Sequence, residues 1–547
     1  MKRTVALALA GTMAISLFAG GCGNSEGQSG ANGAQDTQSN AQASSEDAQT
    51  DADAGTGNTD AGDASQDGAE VLEDEANIVM AYYSPRAIST DDLARVEEAI
   101  NAITLPAINT TVTLLSLEQG NWDQQINLMI SGNEQLDLLP TFFYGSTALA
   151  SLKSQNQLMP LNDLLDEYGQ GIQEVMPEGY FETTTQDGQV YAVPIVAAKG
   201  GGTFCNMRKD VLEELGLLED AQNADSMEDL EAIFEAVKAN TDLTPVVPAS
   251  TSGVLNFTNV FVTGDFSEAV TYEDLLGGYV GILSDDPDTI INLYDTQAYK
   301  DSCEMLSRWY DAGYIYSDAA TNDQQPEEYI KAGTAFCYFN GTELSSLSTI
   351  DQLCQQEMVK VQIATTPLTT WNIGTITWTI PVTSKEPEAA MKFLDLMYTN
   401  EDIVNLLNYG VENEDYIVGD DGRFSYPEGK DMNSVGYYNG YTWLFGNQFL
   451  AGVRDSEDAD IREKGKAGDE AAGLSQNFGF SADSTGMDTQ IAGMTSAKNE
   501  FVRQLNCGIG DTESNLSALH DKMQAAGVED VISLLQQQLD DWKAGQN

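Results

Sequence analysis

Asn77-Ile78-Val79-Met80-Ala81-Tyr82-Tyr83 opens the stretch that decides the fold. It reads as a buried strand, a continuous apolar run closed by two aromatics. Residues 91–101 follow with Leu93, Val96 and Ile100 at helical spacing, and residues 111–117 form a second strand. Residues 122–131 place Ile126, Met129 and Ile130 on one side of a helix, and 136–144 are a third, strongly apolar strand. This alternation of strand and helix predicts a parallel, doubly wound sheet. In such sheets ligands sit beyond the carboxyl ends of the strands. Those ends are Tyr82-Tyr83, Leu117-Glu118 and Phe143-Tyr144-Gly145. Successive side chains of a strand point to opposite faces, so at most one of Tyr82 and Tyr83 lines a cleft.

Further along, residues 190–195 are a strand containing Pro194, and Lys199-Gly200-Gly201-Gly202 leads into another at 203–207. A strand that breaks into glycines and resumes predicts a crossing between two bodies, with the glycine run as a backbone hinge. Residues 227–239 and 297–312 are amphipathic helices. Residues 334–339 form a strand ending in Asn340-Gly341, and 361–366 form another. The Thr, Ile, Trp and Val of 375–382 predict a second crossing strand. The helix at 386–398 carries Pro387 in its first turn, where proline is tolerated. Another helix, 400–407, begins at an Asn cap. Helices are expected at 512–526 and 529–544.

Toward the N-terminus the composition changes. Lys2 and Arg3 precede an apolar run at 5–18 and then Ala19-Gly20-Gly21-Cys22. This is the layout of a secretory signal, and the run is shorter than the roughly 20 residues of a membrane span. Ala19-Gly20-Gly21-Cys22 resembles a bacterial lipobox, which favours Leu where Ala19 stands. It implies cleavage after residue 21 and acylation of Cys22. Two acyl chains, at about 0.8 kcal/mol per buried methylene, anchor stably where one does not. Residues 23–72 lack Lys, Arg, Pro and aromatics, and read as a disordered acidic tether.

The net charge is −61. An acidic, basic-poor body argues against nucleic acid and anionic lipid surfaces. Cys205, Cys303, Cys337, Cys354 and Cys507 follow Cys22 without a C-x-x-C spacing, which indicates no disulfide framework. His520 is the 1 histidine, so histidine catalysis and His-rich metal sites have little support. No G-x-S-x-G stands between a predicted strand and helix as a nucleophile elbow requires, and no P-loop occurs. Asp285-Asp286-Pro287-Asp288 lacks the spacing of a calcium loop and reads as a solvated turn. No cofactor is expected.

Trp378-Thr379-Ile380-Pro381-Val382-Thr383-Ser384-Lys385-Glu386-Pro387-Glu388-Ala389-Ala390 resembles a recognisable segment of the extracellular solute-binding proteins of ABC importers, in the maltose-binding-like family 1. Lys331-Ala332-Gly333-Thr334-Ala335-Phe336 leading to Asn340-Gly341 is similar to that family's strand facing the cleft. Asn408-Tyr409-Gly410-Val411-Glu412, Gly446-Asn447-Gln448-Phe449, Asn477-Phe478-Gly479-Phe480 and Gln538-Leu539-Asp540-Asp541-Trp542 resemble a lipoprotein subgroup. That subgroup carries an extra C-terminal region of unassigned role. The resemblance implies an α/β, two-lobed periplasmic-binding-protein-like fold (type II), with a ligand cleft between lobes joined by hinge strands. The expected division is a signal peptide at 1–21 and a lipidated tether at 22–74. Lobe 1 takes 75–195 plus 381–430; lobe 2 takes 196–380 plus 431–547 with the C-terminal helices.

A sugar cleft needs amphipathic aromatic platforms and a few fixed polar groups. The candidates by position are Tyr83, Trp122, Tyr144, Lys199, Asn340, Trp371, Trp378 and Trp443. The leading expectation is a lipid-anchored, monomeric receptor on the outer face of a single-membrane bacterium. It binds an oligosaccharide, performs no chemistry, and delivers its ligand to the permease subunits of an ABC importer. The alternatives are the same fold serving a peptide or small cationic solute, and a surface polysaccharide-degrading enzyme.

Overall fold

The apolar run at 77–83 forms the strand Ala76–Ser84, paired in parallel and in unbroken register with Thr110–Glu118. The helix between them, Thr90–Ile108, starts at Ser89, whose side chain accepts the Asp92 N–H, and buries Val96 and Ile100 against the sheet. A computed structural model describes residues 75–142, 145–248, 253–254, 259–321 and 324–546. The signal segment, Cys22, the tether, Phe143 and Tyr144 lie outside the described residues.

Leu138 bridges to Met80 in parallel, continuing the predicted order. The sheet does not stay parallel. Leu139–Phe142 pairs antiparallel with Ile376–Thr379, which pairs antiparallel with Val193–Pro194. Parallel neighbours require a long crossover. A strand returning from another body is free of that constraint and can run either way.

Three cores account for most of the buried apolar side chains. The first gathers Ile78, Met80, Tyr82, Ile100 and Val112 with Trp378, Phe393, Leu407, Tyr437 and Phe445. The second lies on a four-stranded sheet ordered Met358–Thr366, Gly201–Arg208, Ala335–Glu343, Thr244–Val246. Phe234, Trp309, Phe336 and Phe339 fill it. The third packs an antiparallel sheet, from Val260–Phe261 to Asp286–Asn292, against the helices Asp488–Leu505, Thr512–Ala526 and Val528–Gln546. Its interior includes Tyr272, Ile282, Tyr299, Met494, Leu519 and Leu535.

The expected division assigned 431–547 to the second lobe. Tyr437, Leu444 and Phe445 pack in the first core instead, and 488–546 build the third. An apolar run signals that it will be buried without signalling against which partner. The same holds for 375–382. Its strand is central to the first sheet, and the link between bodies is the preceding segment, 367–375.

The link at 195–201 runs where glycines predicted it, paired through Val196 to Gly446 and Gln448. The glycines are not a loose hinge. A Cβ on Gly201 would stand 2.1 Å from the Thr342 carbonyl oxygen, and one on Gly202 would stand 1.9 Å from that of Ala364. Gly200 meets the Gly468 backbone just as closely. Close strand packing, rather than freedom, excludes side chains here.

The five described cysteines are buried and unpaired. Asp288 and the Pro287 carbonyl take the Lys543 ammonium, and Asp295 meets His520 at 2.8 Å. Among the described residues, no helix is long and apolar enough to cross a membrane.

Candidate functional site

The segment 367–375 links the second sheet to the first and carries the most exposed tryptophan. Thr369 caps the short helix Thr370–Gly374: its Oγ1 accepts the Asn372 N–H, and Asn372 Oδ1 accepts the Thr369 N–H at 2.9 Å. Beneath the turn, Leu368 and Ile373 pack with Tyr180 and Phe478 in a small core of their own. Thr370 Oγ1 accepts the Gly479 N–H at 2.8 Å. Held from both sides, the turn leaves Trp371 55% exposed.

Two adjoining chambers share Trp371, Thr369 and Asp274. The larger, about 330 Å³, is lined by Lys199 from the link and by Gly341, Thr342 and Glu343 from the second body's sheet. The smaller, about 240 Å³, is lined by Phe142 and Leu149 from the first body, Glu273 of the third sheet and Phe480–Ala482.

Polar groups line both chambers and lie just behind their walls. Asp469 accepts the backbone N–H groups of Lys199 and Gly200, at 2.8 and 2.5 Å. Burial pushes its carboxyl above the ordinary value despite these bonds. Burial pulls the Lys199 ammonium below the usual lysine value, opposed by the charges of Glu343 and Asp469. Burial also raises Asp274, although Asp274 Oδ1 accepts the N–H groups of Leu276 and Gly278. Glu273 is raised for the same reason, opposed by the Ser475 hydroxyl and Lys543.

The first body contributes an aromatic array. Tyr83 lies 5.3 Å from Phe142 and 6.0 Å from Tyr441, and Tyr441 stacks on Trp443 at 4.8 Å. Tyr82 points the other way, fully buried against Tyr437 and Phe445, as strand alternation requires.

Lys199 and Trp371 therefore line the chambers directly. Tyr83 and Trp443 are half-buried in the array behind Phe142. Asn340 stands one residue from the chamber wall, its Oδ1 accepting from Asn206 at 2.8 Å. Two candidates are core residues. Trp122 is 4% exposed, with its indole N–H donated to Thr147 Oγ1. Trp378 is wholly buried, stacked on Phe445, with its N–H donated to the Leu444 carbonyl. Both indoles are large enough to fill a core once their N–H finds an acceptor. Neither can offer a face to a ligand.

Phe142, Asp274, Glu343 and Phe480–Ala482 were not singled out from sequence. Phe142 sat in a recognised strand, one residue before the aromatics chosen. Phe480 sat in a recognised segment to which no chemistry was attached. The carboxylates had no signal among 86 acidic residues.

Comparison with known proteins fits this arrangement. Residues 107–410 match the family model described as bacterial extracellular solute-binding protein. Residues 476–544 match a separate domain of unknown function. A carbohydrate ABC transporter substrate-binding protein of Streptococcus pneumoniae is 22% identical, over 83% of this chain and 88% of that protein. The crystal structure of an N-glycan transport solute binding protein from Streptococcus pneumoniae superposes with a TM-score of 0.71 at 20% identity, covering 86% of this chain and 100% of that one. The same protein in complex with Man5GlcNAc gives 0.58 at 20% identity, covering 86% and 99%. An HMO-binding, ABC-transporter-associated solute binding protein of Bifidobacterium longum infantis gives 0.57 at 14% identity, covering 85% and 99%. These structures share the two-lobed α/β fold.

Proposed function

The chain belongs to the bacterial extracellular solute-binding protein family, and from that premise we propose that it holds a neutral oligosaccharide in the groove around Trp371 and delivers it to the membrane subunits of an ABC importer. It is a binding protein and not an enzyme, like its relatives. The observation that carries the carbohydrate reading is Trp371 itself. A capped, supported turn presents an indole face to solvent at the junction of two polar chambers. Sugars offer C–H faces that stack on indoles and hydroxyls that need fixed acceptors. Asp274 and Glu343 supply acceptors, and Lys199 supplies a donor. The carboxylates outnumber the cation, which disfavours uronates and sialylated chains.

The acidic lining also suits a small cationic solute. Asp274 argues against that reading, because two backbone N–H groups of its own turn already offset its charge at Oδ1, leaving Oδ2 as a hydrogen-bond acceptor. Calorimetry of the full chain against neutral oligosaccharides, uronate oligomers and basic peptides separates these readings. Binding confined to neutral saccharides is expected. Heat from peptides alone would sink the carbohydrate assignment.

The finer part of this reading is acylation at Cys22, holding the receptor near its permease. Membrane fractionation tests it: Cys22→Ala should release the chain into the medium, and retention of that variant in the membrane would refute the anchor.

A further inference from the structure

The region of unknown function, 476–544, is built into the groove. Its helices fill the third core, and that core carries the strand bearing Glu273 and Asp274. The strap that leads into it touches the Trp371 turn and the segments beside it. Ser475 N–H donates to the Leu368 carbonyl at 2.8 Å, and Gly479 N–H donates to Thr370 Oγ1. Asn477 Nδ2 reaches the Pro287 carbonyl at 2.9 Å, and the Phe478 ring lies 6.2 Å from Tyr180. A Cβ on Gly479 would stand 2.6 Å from a Glu182 carboxylate oxygen. Gly479 also has φ +98°, which only glycine adopts readily, so the strap has one path available to it.

Beyond Gly479, residues Phe480–Ala482 face Phe142 and Leu149 across the smaller chamber, with Trp371 between the two chambers' linings. The lining combines phenylalanine and leucine side chains with the exposed Ser481 and the carboxylates of the third sheet. That mixture suits a neutral pyranose, which needs an apolar face and hydroxyl acceptors together.

We propose that the 476–544 region completes a second sugar subsite, so that the smaller chamber receives a further neutral sugar of a chain whose first sugars occupy the larger one. This rests on the carbohydrate reading above. Under it, the region determines the length of ligand accepted, and Phe478 and Gly479 are positioning residues for the Trp371 turn.

The test is calorimetry on the full chain and on Ser481→Trp, with Man1GlcNAc and Man5GlcNAc as probes. Ser481 is exposed, so a bulky replacement fills the chamber without entering a core; unchanged thermal unfolding verifies that. Binding of Man5GlcNAc should weaken by about tenfold, while Man1GlcNAc stays within about twofold. Equal affinity of the variant and the natural chain for both glycans would overturn the subsite, and so would an equal loss for both. If the natural chain binds neither glycan nor any other neutral saccharide, the carbohydrate reading fails, and this proposal with it.

Discussion

Trp371 and Trp378 occupy successive parts of one connection, yet they meet opposite fates. Trp371 sits on a capped turn and is 55% exposed; Trp378 sits in the next strand and is 0% exposed. The difference lies in what surrounds each backbone. The strand Ile376–Thr379 has neighbours on both edges, so its indole has no exit, and Leu444 supplies an acceptor for the N–H. The turn is held by the Leu368 and Ile373 core beneath it and by Gly479 at its flank, with no strand on either edge, so its indole has solvent above. A tryptophan's role follows from the enclosure of its element, not from its chemistry.

The contrast breaks most visibly at Trp378. Trp378→Ala should cost about 3–5 kcal/mol of stability, read from urea unfolding, because a wholly buried aromatic leaves a cavity. An effect under about 1 kcal/mol would mean the stack on Phe445 is not packed as described. Trp371→Ala should do the reverse. Stability should change by less than about 0.5 kcal/mol, as for other exposed positions. Oligosaccharide affinity should fall by about tenfold, roughly 1.4 kcal/mol, measured by calorimetry. Unchanged affinity would remove Trp371 from the site.

The smallest effect sharpens the comparison on the acidic side. Burial raises the folded-state pKa of Glu273 above its unfolded value. The folded protein therefore retains a proton that the unfolded chain has released. The associated stability is complete below the unfolded value and is lost as pH rises through the raised one. Glu273→Gln should accordingly melt higher than the natural chain near pH 8, with the gap closing toward about pH 4. A gap that widens on acidification would contradict the sign.

Much of the first body was legible. The apolar runs at 77–83 and 111–117 fell inside the observed strands, and the helix Trp122–Ser131 was placed to the residue. Asn400 was read correctly as a cap; its side chain accepts the Ile403 N–H at 3.0 Å. The third sheet was not legible. Its strand Val270–Leu276 carries Glu273 and Asp274 within it, and its burial comes from helices more than two hundred residues later in the chain. No local pattern announces such a partner. The site divided in the same way. Trp371 and Lys199 stood out as a large aromatic and a cation in polar or glycine-rich surroundings. Trp122 and Trp378 looked equally suitable, because sequence shows the side chain and conceals the acceptor that lets it be buried.

The exposure of Trp371 has a practical side. Of the chain's 6 tryptophans it is the one that stands mainly in water, the others being buried or half-buried. Indole emission reddens in water and shifts to the blue when water is displaced. The red edge of the protein's own fluorescence therefore originates largely at the mouth of the groove. A ligand seated on Trp371 as proposed would thus report itself optically, and no attached dye would be needed to read it.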